Sequence, residues 1–576
     1  MADLEQLLTE RLAGAYEAVA GEPVDPVVRR SQHADFQSDG ALALSRRRDR
    51  NPREVAAEVV ARAELADLCD QVAVSGSGFI NLTVADRVLG RLIAELTPDD
   101  RLGVTRAEHP ETVVVDYSAP NAAKEMHVGH LRSTIIGDAV ARLLTWLGHT
   151  VIRQNHIGDW GTPFGMLIEH LVDVGEDGAA DELSVGDLTG FYQAARVKFD
   201  SDQDFANRAR RRVVLLQGGD PASRGLWAVL IRESKRYFAE VYRRLDVELT
   251  QADYDGESSH QDELGSVIAE LDSLGLLAIS DGAACVFPAG FTNRDGDPLP
   301  LIVRKRDGGY GYATTDLATI RHRLRDLGAT RLLYVVGLPQ RLHLEMIYEI
   351  AREAGWLKPP ARAEHVGHGS VLGSDGKLLR TRAGVSVKLT VLLDEAVARA
   401  GALVAEKNPA LDPAERDAVA SAVGIGAVKY ADLSTDRVKD YVFDLDRMLA
   451  LDGNTAPYLQ YAHARIRSIF RRAGADAGPP GAGPVPVTEP AERKLALELL
   501  GFAGVVHEVS DTLELHRIAG YLYRLASAFM TFYENCPVLA APEPAVRAGR
   551  LVLCDLTART LRRGLGLLGI ATPDQM

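Results

Sequence analysis

The stretch from Glu111 to Gly158 constrains the fold more than any other part of the 576-residue chain. ETVVVDYS is an unbroken β-branched run, as expected of a strand buried on both faces of a parallel sheet. After a polar loop comes HLRSTIIGDAVARLLTWLGHT, an amphipathic helix that stops at Gly148. VIRQNHIG then reads as the next strand. Strand, loop, helix and strand in this order open a doubly wound α/β nucleotide-binding sheet, whose ligands sit at the carboxyl ends of the strands.

The flanking segments have other characters. Residues 1–110 read as a small α+β unit. Two helices, Leu4–Ala20 and Pro52–Leu68, flank a polar loop HADFQSDGALALS and precede a strand pattern, QVAVSGSGFINLTV. Residues 111–453 carry the sheet, interrupted over about 170–300 by an inserted subdomain that is first helical and then β-rich, through AACVFPAGFTN and LPLIVRKRDGGYGYATTD. Helix and strand resume with LATIRHRLRDLG and RLLYVVGL. Residues 454–576 are all-helical apart from one Gly/Pro-rich loop, AGADAGPPGAGPVPVTEP. The predicted class is multidomain α/β.

The net charge is −15, yet residues 456–576 carry 13 Lys+Arg against 11 Asp+Glu, a local +2 on an acidic body. That asymmetry suits a basic C-terminal face for a polyanion. Four scattered cysteines, with no C-x-x-C pair, argue against a disulfide framework or a Cys-based zinc site. The acidic, amphipathic start is unlike a targeting peptide, and no apolar run approaches about 18 residues. A cytoplasmic location without a membrane span is expected.

The chemistry concentrates in VDYSAPNAAKEMHVGHLRST, between the buried strand and its helix. Gly129 lets a ligand approach the backbone, the helix N-terminus offers unpaired N–H groups, and His127 and His130 can donate to phosphate oxygens beside the mobile charge of Lys124. A bare H-x-x-H could be incidental or a metal pair, but it lacks the glutamate of a zinc-hydrolase helix, and no metal set is read here. In the C-terminal helix TAPYLQYAHARIRSIFRR, Tyr458, Tyr461, Arg465 and Arg467 combine aromatics with arginine in a pattern suited to RNA, although core tyrosine plus solvated arginine is the ordinary alternative. The run Arg208, Arg210, Arg211 and Arg212 reads as a solvated helix face.

The histidine segment resembles the HIGH signature of class I aminoacyl-tRNA synthetases. Its wider S-x-P-N-x-x-K-x-x-H-V-G-H-L-R-S-T form resembles the arginyl-tRNA synthetase family. NHIGDWGTPFGMLI, YDGES, GYATTDLA, YVVGLPQRLH, DGKLLRTRAG, VKYADLS, YVFDLDRML, LDGNTAPYLQYAHARIRSIFRRAG and GLGLLGIATPDQM occur in that family's order. The resemblance implies a class I Rossmann-type catalytic domain with an insertion, an additional N-terminal domain that meets the tRNA elbow, and a helical anticodon-binding domain. It implies that Asp116, Ser118, Ala119, Pro120, Asn121 and His130 line the amino-acid site, and that Glu257, Tyr312, Asp316 and Gln340 receive the guanidinium. A planar, always-charged fork with five donors suits opposed carboxylates. ATP is assigned to His127, Gly129, His130, Gly369 and Val371. Catalytic charge stabilisation falls to His127, His130, Lys124 and the second-signature loop with Lys377, Arg380 and Arg382. That loop departs from the lysine-rich form of many relatives, as Pro163, Gly337 and His368 depart elsewhere, which suggests a divergent branch. Phe79, Asn81, Tyr458, Gln460, Tyr461, Arg465 and Arg467 are the implied tRNA contacts. The implied partners are L-arginine, ATP with Mg²⁺ and tRNA(Arg), for a monomer without a tightly bound prosthetic group. A nucleotidyltransferase of small molecules would not need the helical C-terminal domain, and a silent tRNA-binding paralogue would have lost the histidines or the pocket.

Overall fold

The computed structural model describes residues 4–184, 188–380, 387–474, 483–541 and 543–576, with backbone alone over 176–184. Its centre is a four-stranded parallel sheet in the order Arg362–His365, Arg331–Tyr334, Thr112–Asp116 and Thr150–Gln154. Pleating sends Val113 and Val115 into one apolar core and Val114 into another, which is why the strand is β-branched throughout. The helix Val128–Leu147 packs on the first face through Leu131, Ile135 and Ala139. Helices Tyr312–Arg325 and Arg341–Glu353 cover the second through Leu317, Ile320 and Ile347.

The insertion consists of four helices, Pro163–Ser184, Leu188–Ser201, Gln203–Gln217 and Pro221–Leu245, followed by a shorter helix, Leu264–Ser273, and a three-stranded antiparallel sheet. The arginine run is not simply a solvated face. Arg208 and Arg212 both pair with the buried carboxylate of Glu169, at 3.2 and 2.7 Å, and so lock two insertion helices together. The β-rich reading also extends too far, because GYGYATTD is already helix from Tyr312. Ala313, Leu317 and Ile320 are buried at helical spacing, and the short preceding strand Leu301–Arg304 blurs that period in the sequence.

Two further expectations change in the N-terminal unit. The helix from Pro52 ends at Arg62 rather than Leu68, with Ala63 extended. The expected polar loop is a buried strand, Phe36–Ser38, followed by a helix, Gly40–Arg48. Three residues are too few to show a period of two, and the strand is held by pairing with Val28–Arg30 and Phe79–Val84. Helices Ala456–Ala473, Pro490–Leu500, Phe502–Thr512, His516–Asn535 and Pro544–Leu567 form the C-terminal bundle. It is not a detached module. Arg493 pairs with Asp35 at 2.5 Å and Asp86 at 2.6 Å in the N-terminal unit. Residues 475–482 of the Gly/Pro-rich loop lie outside the described residues, while Val485, near its end, donates to the Gly90 carbonyl.

One buried pair ties the central helix to the helix Pro413–Leu433. Arg132, 1% exposed, donates through Nε to Asp432 at 3.2 Å and through Nη1 to the Lys439 carbonyl at 2.7 Å. Removing one partner strands a buried charge, whereas an apolar replacement of both does not. Arg132→Ala is expected to lower the denaturation free energy by about 3–5 kcal/mol in urea titrations. Arg132→Met combined with Asp432→Leu should recover most of that loss; a double variant no better than the single one would show that the pair's charges are not the cause.

Candidate active site

The two signature histidines cap each other. His127 is the N-cap of the central helix, and its Nδ1 accepts the Gly129 N–H at 3.0 Å. In return, the His127 N–H donates to Nδ1 of His130 at 3.1 Å. The ring centroids are 4.0 Å apart. A Cβ at 129 would lie 2.7 Å from the His127 ring, so any larger residue would have to push the capping imidazole aside. Burial lowers the pKa of both imidazoles, with Lys124 adding to the effect; for His130 the neighbouring His127 contributes too and the value falls to about 3. Both rings are therefore neutral near pH 7, and since each Nδ1 accepts, each Nε2 carries the proton and can donate. The expectation of free helix-terminal N–H groups needs correction. The Val128 N–H donates to Val387, that of Gly129 to His127, and that of His130 to the His127 carbonyl. An anion at this end would therefore meet side chains rather than free backbone N–H groups. Lys124 stacks 4.2 Å over the Tyr192 ring of the insertion.

The preceding loop is strained and held from below. Ser118 and Ala119 both have positive φ, at 73° and 46°. The Ser118 N–H donates to Ser133 Oγ, and the Ala119 N–H to Asn155 Oδ1. Asn155 Nδ2 donates to the Tyr242 hydroxyl, which lies 2.8 Å from Ser118 Oγ and so has its own proton free for that oxygen. Pro120 and Ala122 exchange backbone hydrogen bonds with Gly158, and a Cβ at Gly158 would sit 2.5 Å from Asn121 Oδ1. Asn121 thus lies exposed on a glycine platform. Ser118 is buried within this support, and Asp116 is buried with Oδ2 committed. Its carboxylate holds the fully buried Arg323 at 2.8 Å.

Three carboxylates meet beyond this platform. Asp159 accepts the N–H and hydroxyl of Ser258, at 2.8 and 2.7 Å, which fixes the YDGES turn. Glu257 lies next in that turn. Burial, with Asp159 and Asp316 nearby, raises its pKa to about 7, while the Trp160 backbone N–H bonds it. Tyr312 and Asp316 stand one helical turn apart on Tyr312–Arg325. The Asp316 Oδ2 lies 2.6 Å from Nε2 of His343, whose ring packs at a tilt against Tyr312 with centroids 4.8 Å apart. Gln340 is exposed at the end of the turn Leu338–Gln340. A group of half-buried and buried carboxylates of this kind suits a cation with several donors.

Of the remaining predicted residues, Lys377 and Arg380 are exposed on a hairpin, with Gly373 and Leu379 donating to the Lys377 and Val371 carbonyls. Arg382 lies outside the described residues. Gly369 donates to the Arg437 carbonyl, and Val371 is buried in a short parallel pair with Tyr441. Phe79 and Asn81 lie on one strand, Asn81 bonded to Ser75. Arg465 lies over the Tyr461 and Tyr533 rings, Tyr458 meets Tyr523 at a tilt, and Arg467 pairs with Asp574 at 3.4 Å. Gln460 does not belong to that surface, since it is fully buried and bonds the Ala422 and Ala571 carbonyls. Sequence reasoning passed over Asn155, Asp159, Tyr242, Arg323 and His343. The first two stand in NHIGDWG and the last in PQRLH, whereas Tyr242 and Arg323 sit in helices of ordinary pattern.

Among the described residues, His156, Asp255 and His260 form a group with metal-type spacing, their ligand atoms within 4.8 Å of one another. They are already bonded internally, His260 Nε2 to Asp255 Oδ1 at 3.0 Å, and the Arg323 guanidinium lies 3.9 Å from Asp255 Oδ2. That guanidinium supplies the positive charge an ion would bring.

The sheet, the mutually capped H-V-G-H and the hairpin beyond it define a class I aminoacyl-tRNA synthetase catalytic domain. Residues 92–445 match the description "tRNA synthetases class I (R), catalytic domain", residues 459–576 the "DALR anticodon binding domain", and residues 2–84 the "Arginyl tRNA synthetase N terminal domain". An arginine–tRNA ligase of Thermobifida fusca is 58% identical across the full length of both chains, and one of Frankia casuarinae 52% identical over 96% of this chain and 95% of its own. The arginyl-tRNA synthetase structures of Plasmodium falciparum and Thermus thermophilus superpose over the full length of both chains, with TM-scores of 0.86 and 0.82 at 28% and 25% identity. The chain belongs to the arginine–tRNA ligase family.

Glu257 makes the cleft pH-dependent. A cationic ligand favours its ionised form, so affinity should rise as pH climbs through about 7 and level off above it. Binding of arginine by calorimetry across that range should show tighter binding at the alkaline end. Glu257→Gln should bind more weakly and with a flat profile between these limits; a parent profile that is already flat would count against this role.

Proposed function

We propose that this chain joins L-arginine to the 3′ end of tRNA(Arg) in two steps. The arginine carboxylate attacks the α-phosphorus of Mg-ATP, giving arginyl-adenylate and pyrophosphate. The 2′-hydroxyl of the terminal ribose then attacks the adenylate carbonyl and releases AMP. The observation that carries the reading is the position of the Asp159–Glu257–Asp316 cleft. It lies beyond the Asn121 platform on the loop that leads into the histidines, so a guanidinium at the carboxylates and a phosphate at the histidines would be the two ends of arginyl-adenylate. Asn121 would hold the α-substituents of arginine. The Nε2–H groups of His127 and His130 would donate to the charge growing on the phosphoryl oxygens, with Lys124 and the hairpin cations Lys377 and Arg380 screening the leaving pyrophosphate.

The resemblance extends the proposal to the rest of the chain. Residues 1–110 would meet the tRNA elbow, with Phe79 and Asn81 on the candidate face, and residues 454–576 the anticodon, through Tyr458, Tyr461, Arg465 and Arg467. The enzyme would act as a monomer in the cytoplasm; no described helix is long and apolar enough to cross a membrane.

Arginine-dependent exchange of pyrophosphate into ATP, with and without tRNA(Arg), tests the reading. Its absence under both conditions would overturn it. His130→Asn separates donation from capping, because the Asn Oδ1 can stand in for Nδ1 while nothing replaces Nε2–H. Exchange should fall by about 10²–10³, the usual loss for one transition-state donor, with thermal stability close to the parent. His130→Ala should lose both. Parent-level exchange by His130→Asn would remove this imidazole from the chemistry.

A further inference from the structure

We propose that His343 is a positioning and specificity residue for the arginine side chain, holding the Asp316 carboxylate in the orientation that meets a planar guanidinium. The inference deepens the proposed arginylation activity and rests on it. Asp316 lies on the helix Tyr312–Arg325 and His343 on the helix Arg341–Glu353, so their contact at 2.6 Å joins two separate elements across the rim of the cleft. An ionised carboxylate only accepts, so His343 Nε2 is the donor. The bond uses one lone pair of Oδ2 and leaves Oδ1 and the other Oδ2 lone pair for a ligand. The His343 ring is itself wedged against Tyr312, which stands one turn before Asp316 on the same helix face. The His343 ring thus touches both groups, bonding the carboxylate and packing against the exposed phenol.

The consequence is selective. A guanidinium presents its donors in a rigid fork, so its affinity depends on where both carboxylate oxygens lie. A lysine ammonium is a point charge with three rotatable donors and tolerates a carboxylate that swings. Fixing Asp316 before the ligand arrives also removes the cost of ordering it on binding. His343 need not touch arginine to act; it acts through Asp316. A plain interhelical link would look the same in a static picture, and the two differ in what their loss does to each substrate.

The test is pyrophosphate exchange with tRNA(Arg) present, comparing the parent, His343→Ala, His343→Gln, Asp316→Ala and the double variant Asp316→Ala/His343→Ala. His343→Ala should raise the arginine KM about tenfold, as for loss of a hydrogen bond to a charged group. The ATP KM, and kcat at saturating arginine, should stay at parent values. His343→Gln, whose amide nitrogen can replace Nε2–H, should recover most of the arginine KM. Adding His343→Ala to Asp316→Ala should cost nothing further, because no carboxylate is left to hold. An unchanged arginine KM in His343→Ala, a matching loss in ATP KM, failure of the glutamine to rescue, or additive losses in the double variant would each overturn the proposal. A parent without arginine-dependent exchange would instead strike at the arginylation reading from which this one starts.

Discussion

The geometry of the cleft depends on one buried cation. Arg323 is wholly removed from water, and its guanidinium pairs with Asp116 at the end of one strand, donates to Gln154 at the end of the next, lies over the Tyr334 ring of a third and approaches Asp255 of the YDGES turn. A buried charge without partners would cost several kcal/mol, so these groups must stay together once the chain has folded. Three strand ends and a turn from the insertion are thus fixed relative to one another by a single residue. The platform of Asn155, Gly158 and Asp159 continues directly from Gln154, so it inherits that placement.

Above this base, electrostatics divide the site. The histidine end is made of neutral donors, because burial keeps both imidazoles unprotonated. The other end gathers negative charge, and burial, with Asp159 and Asp316 nearby, lifts the Glu257 carboxyl to about 7. An amino acid with a cationic side chain and a carboxylate to be activated matches that polarity from end to end. The insertion contributes to both parts, through Lys124 stacked on Tyr192 and through Tyr242 beneath the strained loop.

Much of this was legible in the residues. The β-branched run at Thr112–Asp116 announced a strand with two covered faces, and helix, glycine cap and next strand came from periodicity. Motif and order single out the signature histidines, Glu257, Tyr312 and Asp316 as candidates, and the fold brings Glu257 and Asp316 near each other. The features that stayed hidden depended on distant partners. Asp116 looks like a ligand-facing acid until Arg323, 207 positions away, is seen to occupy it. Gln460 looks like a surface reader of RNA until it is found bonding two carbonyls inside the bundle. Phe36–Ser38 is too short to declare itself a strand without its neighbours. Burial and long-range pairing are properties of the folded chain, and local pattern carries them only when an element is long.

The reciprocal cap of His127 and His130 makes recognition and folding a single property of two side chains. Most active sites let a scaffold stand while its reactive groups vary. Here the imidazoles proposed to donate to a ligand also begin the helix that packs on the central sheet, and both tasks require the same tautomer. Acid that protonates Nδ1 would remove the acceptor and release the helix start along with it. A replacement must therefore be judged as a donor and as a fold determinant at once, so the pair is free to drift only as a unit.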